Sequence, residues 1–451
     1  MHAGPSTADA ANAADVVIVG AGAAGLACAI FAAEEAARTA APCRIVVLES
    51  ARKVGAKILI SGGGRCNVTH ERVSADDFNG ARNPIRNVLA AFDADAAARW
   101  FESLGVALKR EDTGKLFPVS DRAQSVVDAL VGRCRALGVT IRTGCRVDDV
   151  RRVADGTDHA FAIAFARHGS GDGSGDARGV VRARRLIITT GGRSLPRTGS
   201  DGNGYALVRA LGHTVTATYP ALVPIVLRRG FFHAELRGIS HPAELTTLTA
   251  GKRIDRRSGS LLWTHFGVSG PVVLDASRHW VLARAVGDPA AVELRVGFFP
   301  GENADAVDAR LRTLAVERPR ASLGRLLATL LPERLATTLL DAADVDPATP
   351  IAQLARDARR RLVRVLTELL LPVETSRGWD HAEVTAGGVP LAEVDFRTLA
   401  SRTCAGLHLA GEILDCEGRI GGFNFQWAWA TGFLAGRAAV RSLAPIEPAA
   451  C

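Results

Sequence analysis

No uninterrupted apolar run approaches the roughly 18 residues that a membrane-spanning helix needs. The alanine-rich start, Met1 to Ala14, lacks the basic head and apolar middle of a secretory signal, so a cytoplasmic protein is expected. Cysteines do not pair up: eight stand singly at 28, 43, 66, 134, 145, 404, 416 and 451. That spacing fits neither a zinc site nor a disulfide scaffold, so reduced thiols and no metal are expected. Without a Cys-x-x-Cys pair, disulfide exchange is disfavoured. Aromatic residues make up only 5% of the chain, which leaves few platforms for stacking nucleic-acid bases.

There is, however, ample material for a core. With 451 residues and 47% hydrophobic side chains, two or three domains are expected. The formal charge of +8 and pI near 9.4 suit a polyanionic partner, and equally a basic surface around an anionic cofactor.

The strongest local pattern is Asp15 to Gly25, DVVIVGAGAAG, followed by the small-residue stretch LACAIFAAEEAA. A buried-strand run leads into Gly-x-Gly-x-x-Gly at Gly20, Gly22 and Gly25, and a helix opens at Ala23 and Ala24. Gly20 suits the tight turn, Gly22 lets a pyrophosphate approach the backbone, and Gly25 lets helix and strand pack closely. A second strand, RIVVLE, ends in Glu49, placed to accept from an unphosphorylated ribose; a strand-end surface acid is the bland alternative. The unit reads as a dinucleotide-binding α/β fold.

After Glu49, where a simple nicotinamide enzyme would usually proceed into another helix, comes SARKVGAKILISGGGRCN. Ser61, Gly62, Gly63 and Gly64 can bring amides against an anionic or carbonyl-rich ligand, with Lys53, Lys57 and Arg65 as cations and Cys66 and Asn67 behind. Such an excursion suits FAD, against the alternative of a plain surface loop. A second nicotinamide-binding Gly-x-Gly-x-x-Gly is absent; NAD(P)H as reductant would visit the substrate pocket.

Several blocks carry a family resemblance. They are GAGAAGL (20–26), KILISGGGRCNVT (57–69), GKLFPVSDRAQSVVDAL (114–130), TTGGRSLPRTGSDGNGYALVRALGH (189–213), PALVPI (220–225), LLWTHFGVSGPVVLDAS (261–277), VTAGGVPL, and LHLAGEILDCEGRIGGFNFQWAWATGFLAG (407–436). In this order, across nearly the whole chain, the sequence resembles the YhiN-like, BaiN-like or RdsA-like flavoproteins. The resemblance implies a Rossmann-like FAD-binding domain of the two-dinucleotide-binding-domain flavoprotein type, interrupted by an inserted domain. It also implies reduction of uridine to dihydrouridine in large-subunit ribosomal RNA, or reductive bile-acid chemistry. By the same resemblance RRLIITTGGRS (184–194) is the crossover strand, with Thr190 and Gly191 at the cofactor, and 138–152 is the strand whose backbone at Val147 meets the adenine.

Near the C-terminus a buried strand ends in Gly411 and Glu412, with Asp415 beyond; either acid could hold ribityl hydroxyls. A helix then begins at Gly421, Gly422, Phe423 and Asn424, where free amides favour a negatively charged flavin edge. The expected domains are a flexible tail 1–14, FAD-binding parts 15–218 and 374–451, an inserted β domain 219–300 and a helical subdomain 301–373. The run 168–179 is expected to be a flexible hairpin tip.

For chemistry, Cys66, His265 and Arg193 are the candidates to protonate the acceptor or stabilise its charge. A buried inert thiol and a structural histidine are their bland alternatives. Basic clusters Lys252, Arg253, Arg256, Arg257 and Arg359, Arg360, Arg361, Arg364 suit ribosomal RNA phosphates or simply solvated faces. Three functions follow: an FAD-dependent NAD(P)H reductase of uridine in ribosomal RNA, a reductase or dehydrogenase of a small steroid-like or enone metabolite, and a non-catalytic flavin-containing RNA-binding factor.

Overall fold

The protein, seen in a computed structural model that describes residues 12–153, 159–167, 177–288 and 291–443, divides into two units. The first comprises residues 1–218 and 384–451 and the second 219–383.

In the first unit, β1 (Ala13–Val19), α1 (Ala23–Arg38), β2 (Ile45–Leu48) and the short α2 (Ala56–Ile60) follow one another. Then come β3 (Thr140–Arg142), β4 (Cys145–Arg152), β5 (Phe161–Arg167), β6 (Ala177–Ile188), α3 (Asn203–Ala210), β7 (Leu407–Leu409) and α4 (Phe423–Arg441). One seven-stranded sheet runs β3-β2-β1-β6-β5-β4, and β7 also pairs with β6. Strands β1, β2, β3, β6 and β7 are parallel, which explains the unbroken apolar runs VVIV and IVVL: their side chains are buried on both faces. Antiparallel β4 and β5 extend one edge.

Against this sheet α1 packs closely on α4. A Cβ at Gly432 would lie 2.6 Å from Cβ of Ala27, and one at Gly436 2.4 Å from the carbonyl oxygen of Cys28, so only glycine permits this approach. The same pair of helices is tied by buried Glu35, which accepts from Arg38 on its own helix and from Arg437 and Arg441 on α4. Among the described residues no helix is long and apolar enough to cross a membrane.

Four expectations change. The tail is shorter than residues 1–14, because β1 already begins at Ala13, pairing with Arg182; residues 1–11 lie outside the described residues. The stretch 138–152 is two strands, β3 on β2 and β4 on β5, separated by a turn at Gly144. Of the expected hairpin tip, 168–176 lies outside the described residues, while the flanking β5 and β6 pair antiparallel from Ala177 opposite Arg167.

The fourth change concerns the second unit, where the β part and the helices are one body. Its antiparallel sheet runs Leu369–Leu371, Val292–Gly297, Ser240–Thr249, Lys252–Thr264, Gly267–Ser269, Ile225–Leu227, Val373–Ser376. Two of these strands follow the helices in sequence, so the unit continues to Glu383 and does not stop at 373. Alternate burial along Ser240–Thr249 is the mark of a sheet covered on one face. The covering helices Pro271–Val286, Ala304–Glu317, Glu333–Ala342 and Arg356–Glu368 supply Trp280, Leu311, Leu339 and Leu366 to the same hydrophobic core.

Candidate functional site

The dinucleotide turn forms as its glycines require. A Cβ on Gly25 would sit 1.9 Å from the carbonyl oxygen of Gly20, so α1 can approach β1 only without a side chain there. Gly20 has φ of +103° and packs against Thr189 at the end of β6. Gly22 differs: a Cβ there meets no heavy atom of the described residues within 4 Å. It caps α1 without a side-chain hydrogen bond, and the helix carries no acid in its first turn. Buried Glu49 accepts from the amides of Ala21 at 2.6 Å and Ala51 at 2.7 Å, which fixes the carboxylate on this turn.

The glycine-rich bend lies beside it, the amide of Gly55 donating to the carbonyl of Ala21. Ser61 to Gly64 form one tight turn in which Gly62 and Gly63 are left-handed and exposed. Ser61 Oγ donates to the carbonyl of Ile58. Lys53 is exposed. Arg65 turns elsewhere than expected: its guanidinium pairs with Glu111 at 2.6 Å and Asp121 at 3.6 Å and lies over Phe117. It anchors the bend, because a cation flanked by two acids and a ring face is already neutralised.

Cys66 is fully buried in the core, with φ of +61°. Burial pushes its thiol up to about 12, against the smaller opposite effect of a hydrogen bond with Ser61. It is therefore a protonated thiol enclosed by apolar neighbours, which supports the inert alternative. Asn67 is buried too, its Oδ1 without a hydrogen-bond partner among the described residues.

Four chain segments meet at Glu412. Its Oε2 accepts from Lys57 Nζ at 2.7 Å, and its Oε1 accepts from Ser194 Oγ and from the amide of Thr385, both at 2.9 Å. Lys57 also donates to Ser194 Oγ at 2.6 Å, and Thr385 Oγ1 accepts from the amides of Arg193 and Ser194. Neither Ser194 nor Thr385 stands out in the sequence; their only signal is membership of the quoted blocks. Asp415 takes a different partner, accepting from Thr216 Oγ1 at 3.1 Å. The exposed Arg193 side chain reaches Thr218 Oγ1 at 3.4 Å.

On the remaining positions, Gly191 has φ of +72° and Thr190 tucks its hydroxyl against Gly204. Gly411 touches the first turn of α1: a Cβ there would lie 2.7 Å from Cβ of Ala24. The carbonyl of Val147 already accepts from Asn203 Nδ2 at 2.9 Å, a partner the sequence did not suggest. Gly422 caps α4 with no side-chain partner, next to Gly421 and Phe423. The Asn424 side chain accepts from the amide of Gly418 and donates to its carbonyl. His265 belongs to the second unit, exposed at the turn between Lys252–Thr264 and Gly267–Ser269.

Two long helices thus begin with uncapped glycine turns in one unit, and one of them faces space that a single methyl group would occupy. That arrangement fits the pyrophosphate of a dinucleotide cofactor.

Residues 14–438 match the family described as HI0933-like protein Rossmann domain. The chain is 36% identical over 423 residues to a 3-dehydro-bile acid delta(4,6)-reductase of Clostridium scindens, covering 94% of this chain and 98% of that one. It is 32% identical over 422 residues to the ribosomal RNA dihydrouridine synthase of Escherichia coli, covering 93% and 96%. A solved 3-ketosteroid delta1-dehydrogenase of Sterolibacterium denitrificans has a similar fold, with TM-score 0.50 and 12% identity over 96% of this chain and 100% of that one. The chain belongs to the HI0933-like Rossmann family and is an FAD-dependent oxidoreductase.

Proposed function

We propose that this enzyme reduces a carbon–carbon double bond conjugated to a carbonyl, with NAD(P)H as reductant and uridine of large-subunit ribosomal RNA as substrate. The observation that carries the flavin part is the open cradle at Gly22 before an uncapped 16-residue helix. The bond type is supported by what two relatives share: a 3-dehydro delta(4,6) bile acid and uracil both present a double bond next to a carbonyl.

FAD, when bound, supplies the hydride. The amides at Ala23 and Ala24 would hold its pyrophosphate and Glu49 its ribose, and the amides at Gly421, Gly422 and Phe423 would favour its negatively charged form. Arg193, exposed and held at its main chain by Thr385, supplies positive charge for the substrate carbonyl as electrons arrive. Cys66 Sγ keeps its proton and lines the core.

A steroid-like or enone metabolite is the second reading. It is favoured by the higher identity to the bile-acid reductase and by how the basic clusters are occupied. Arg256 pairs with Glu244, Arg257 with Asp255, Arg359 with Asp308 and Arg361 with Asp344, so among the described residues Lys252, Arg253, Arg360 and Arg364 are the exposed remainder of these clusters for phosphates.

The test is anaerobic. The yellow protein is reduced with NADPH, then offered a large-subunit ribosomal RNA fragment or a conjugated steroid dienone, and the flavin spectrum is followed. Reoxidation by RNA with formation of dihydrouridine supports the first substrate, and reoxidation by the dienone alone replaces it with the second. A colourless chain that takes up no FAD removes the whole proposal.

A further inference from the structure

We propose that Lys57 and Glu412 form a charge-compensated latch that joins the glycine-rich bend to the Gly-Glu turn and sets the reduction potential of bound FAD. Lys57 then positions Glu412 and also acts on the cofactor through its own charge. The inference rests on the flavin assignment above.

The latch is partly enclosed: the Lys57 side chain is 27% exposed and that of Glu412 19%. Charges so placed interact more strongly than at an open surface, yet remain next to solvent-accessible space. Both ends lean on the dinucleotide cradle. Gly55, just before α2, donates to Ala21 at 3.2 Å, and Gly411, next to Glu412, lies against Ala24 in the first turn of α1. Ser194 joins the two charges, accepting from Lys57 and donating to Glu412, so the crossover loop is held in the same network.

The electrostatic consequence has a sign. Reduction adds negative charge to the cofactor, which a lone carboxylate beside the cradle opposes and a lone ammonium favours. As a pair they nearly cancel. Each partner removed alone therefore leaves the other's charge uncompensated, and the two removals act in opposite directions. A purely structural contact would not do this.

The test uses the full chain stripped of flavin and titrated with FAD, followed by dye-equilibrated reduction. Lys57→Met is expected to move the flavin potential to more negative values and to weaken FAD binding about tenfold, the effect of losing roughly 1.4 kcal/mol. Glu412→Gln, nearly isosteric and so the safer variant for folding, is expected to move the potential to more positive values. The double variant should lie between the two single variants, and Lys57→Arg should restore both affinity and potential. Two single variants that shift the potential the same way, or leave it where it is, overturn the latch. Failure of the unaltered chain to take up FAD overturns the flavin assignment instead.

Discussion

A methyl group added at Gly22 and one added at Gly25 have different consequences, because one meets open space and the other a carbonyl oxygen at 1.9 Å. Gly22→Ala should keep the melting temperature of the flavin-free chain while FAD affinity falls at least about tenfold, since the new Cβ stands where a pyrophosphate must come. Gly25→Ala should lose both. Equilibrium titration beside thermal unfolding separates them, and a Gly22→Ala chain that binds FAD normally would contradict the cradle. Cys66 is the opposite kind of residue. With its thiol held near 12 by burial, it should react slowly with iodoacetamide in the folded chain at neutral pH. Cys66→Ala should cost about 1 kcal/mol of stability and leave turnover within a few-fold. A hundredfold fall in turnover would place the sulfur in the mechanism.

Between elements, two buried ionisable groups contribute to how the first unit responds to acid. Glu35 lies between α1 and α4, and its hydrogen bond from Arg38, aided by Arg441 and Arg437, lowers its pKa from 4.5 to about 2. A carboxylate lowered in this way contributes stability that is complete above pH 4.5 and disappears as pH falls through 2. Glu35→Gln should therefore lose about 2 kcal/mol in urea unfolding near neutral pH, with the difference closing in acid. His408 on β7 is enclosed in the sheet, and burial, with Arg185 adding to it, lowers its pKa from 6.5 to about 4. The folded chain holds it neutral while the unfolded chain binds a proton, so stability falls as pH drops from 6.5 towards 4. His408→Leu should flatten that part of the pH profile; an unchanged slope would show that another group carries it.

For the whole molecule, the choice of substrate is a question about charge. Within the two basic clusters of the second unit, the four exposed residues that remain beside the carboxylate pairs would each release about 0.7 counterions on binding single-stranded RNA, contributing about −3 to the slope of log affinity against log salt. A neutral enone should show almost none. Measuring affinity for both ligands between low and physiological salt decides which reading the second unit serves. A flat RNA profile would remove those residues from its recognition.

The dinucleotide turn, its parallel strands and the helix starts were legible from the chain alone. Their signals are local: a run of Val and Ile, three glycines at fixed spacing, an acid closing the next strand. Steric and hydrogen-bond rules act over a few residues there, so the residues concerned announce themselves. The partners of the charged groups were not legible. Lys57 and Glu412 stand 355 residues apart, Arg65 finds its acid 46 residues away, and Val147 gives its carbonyl to Asn203. Long side chains reach whichever opposite charge the packed backbone brings within a few ångströms, and neither periodicity nor composition encodes that. The extent of the second unit was hidden for a related reason: strands at 369–376 return to a sheet begun at 225, because only in the folded chain do those apolar faces meet one core.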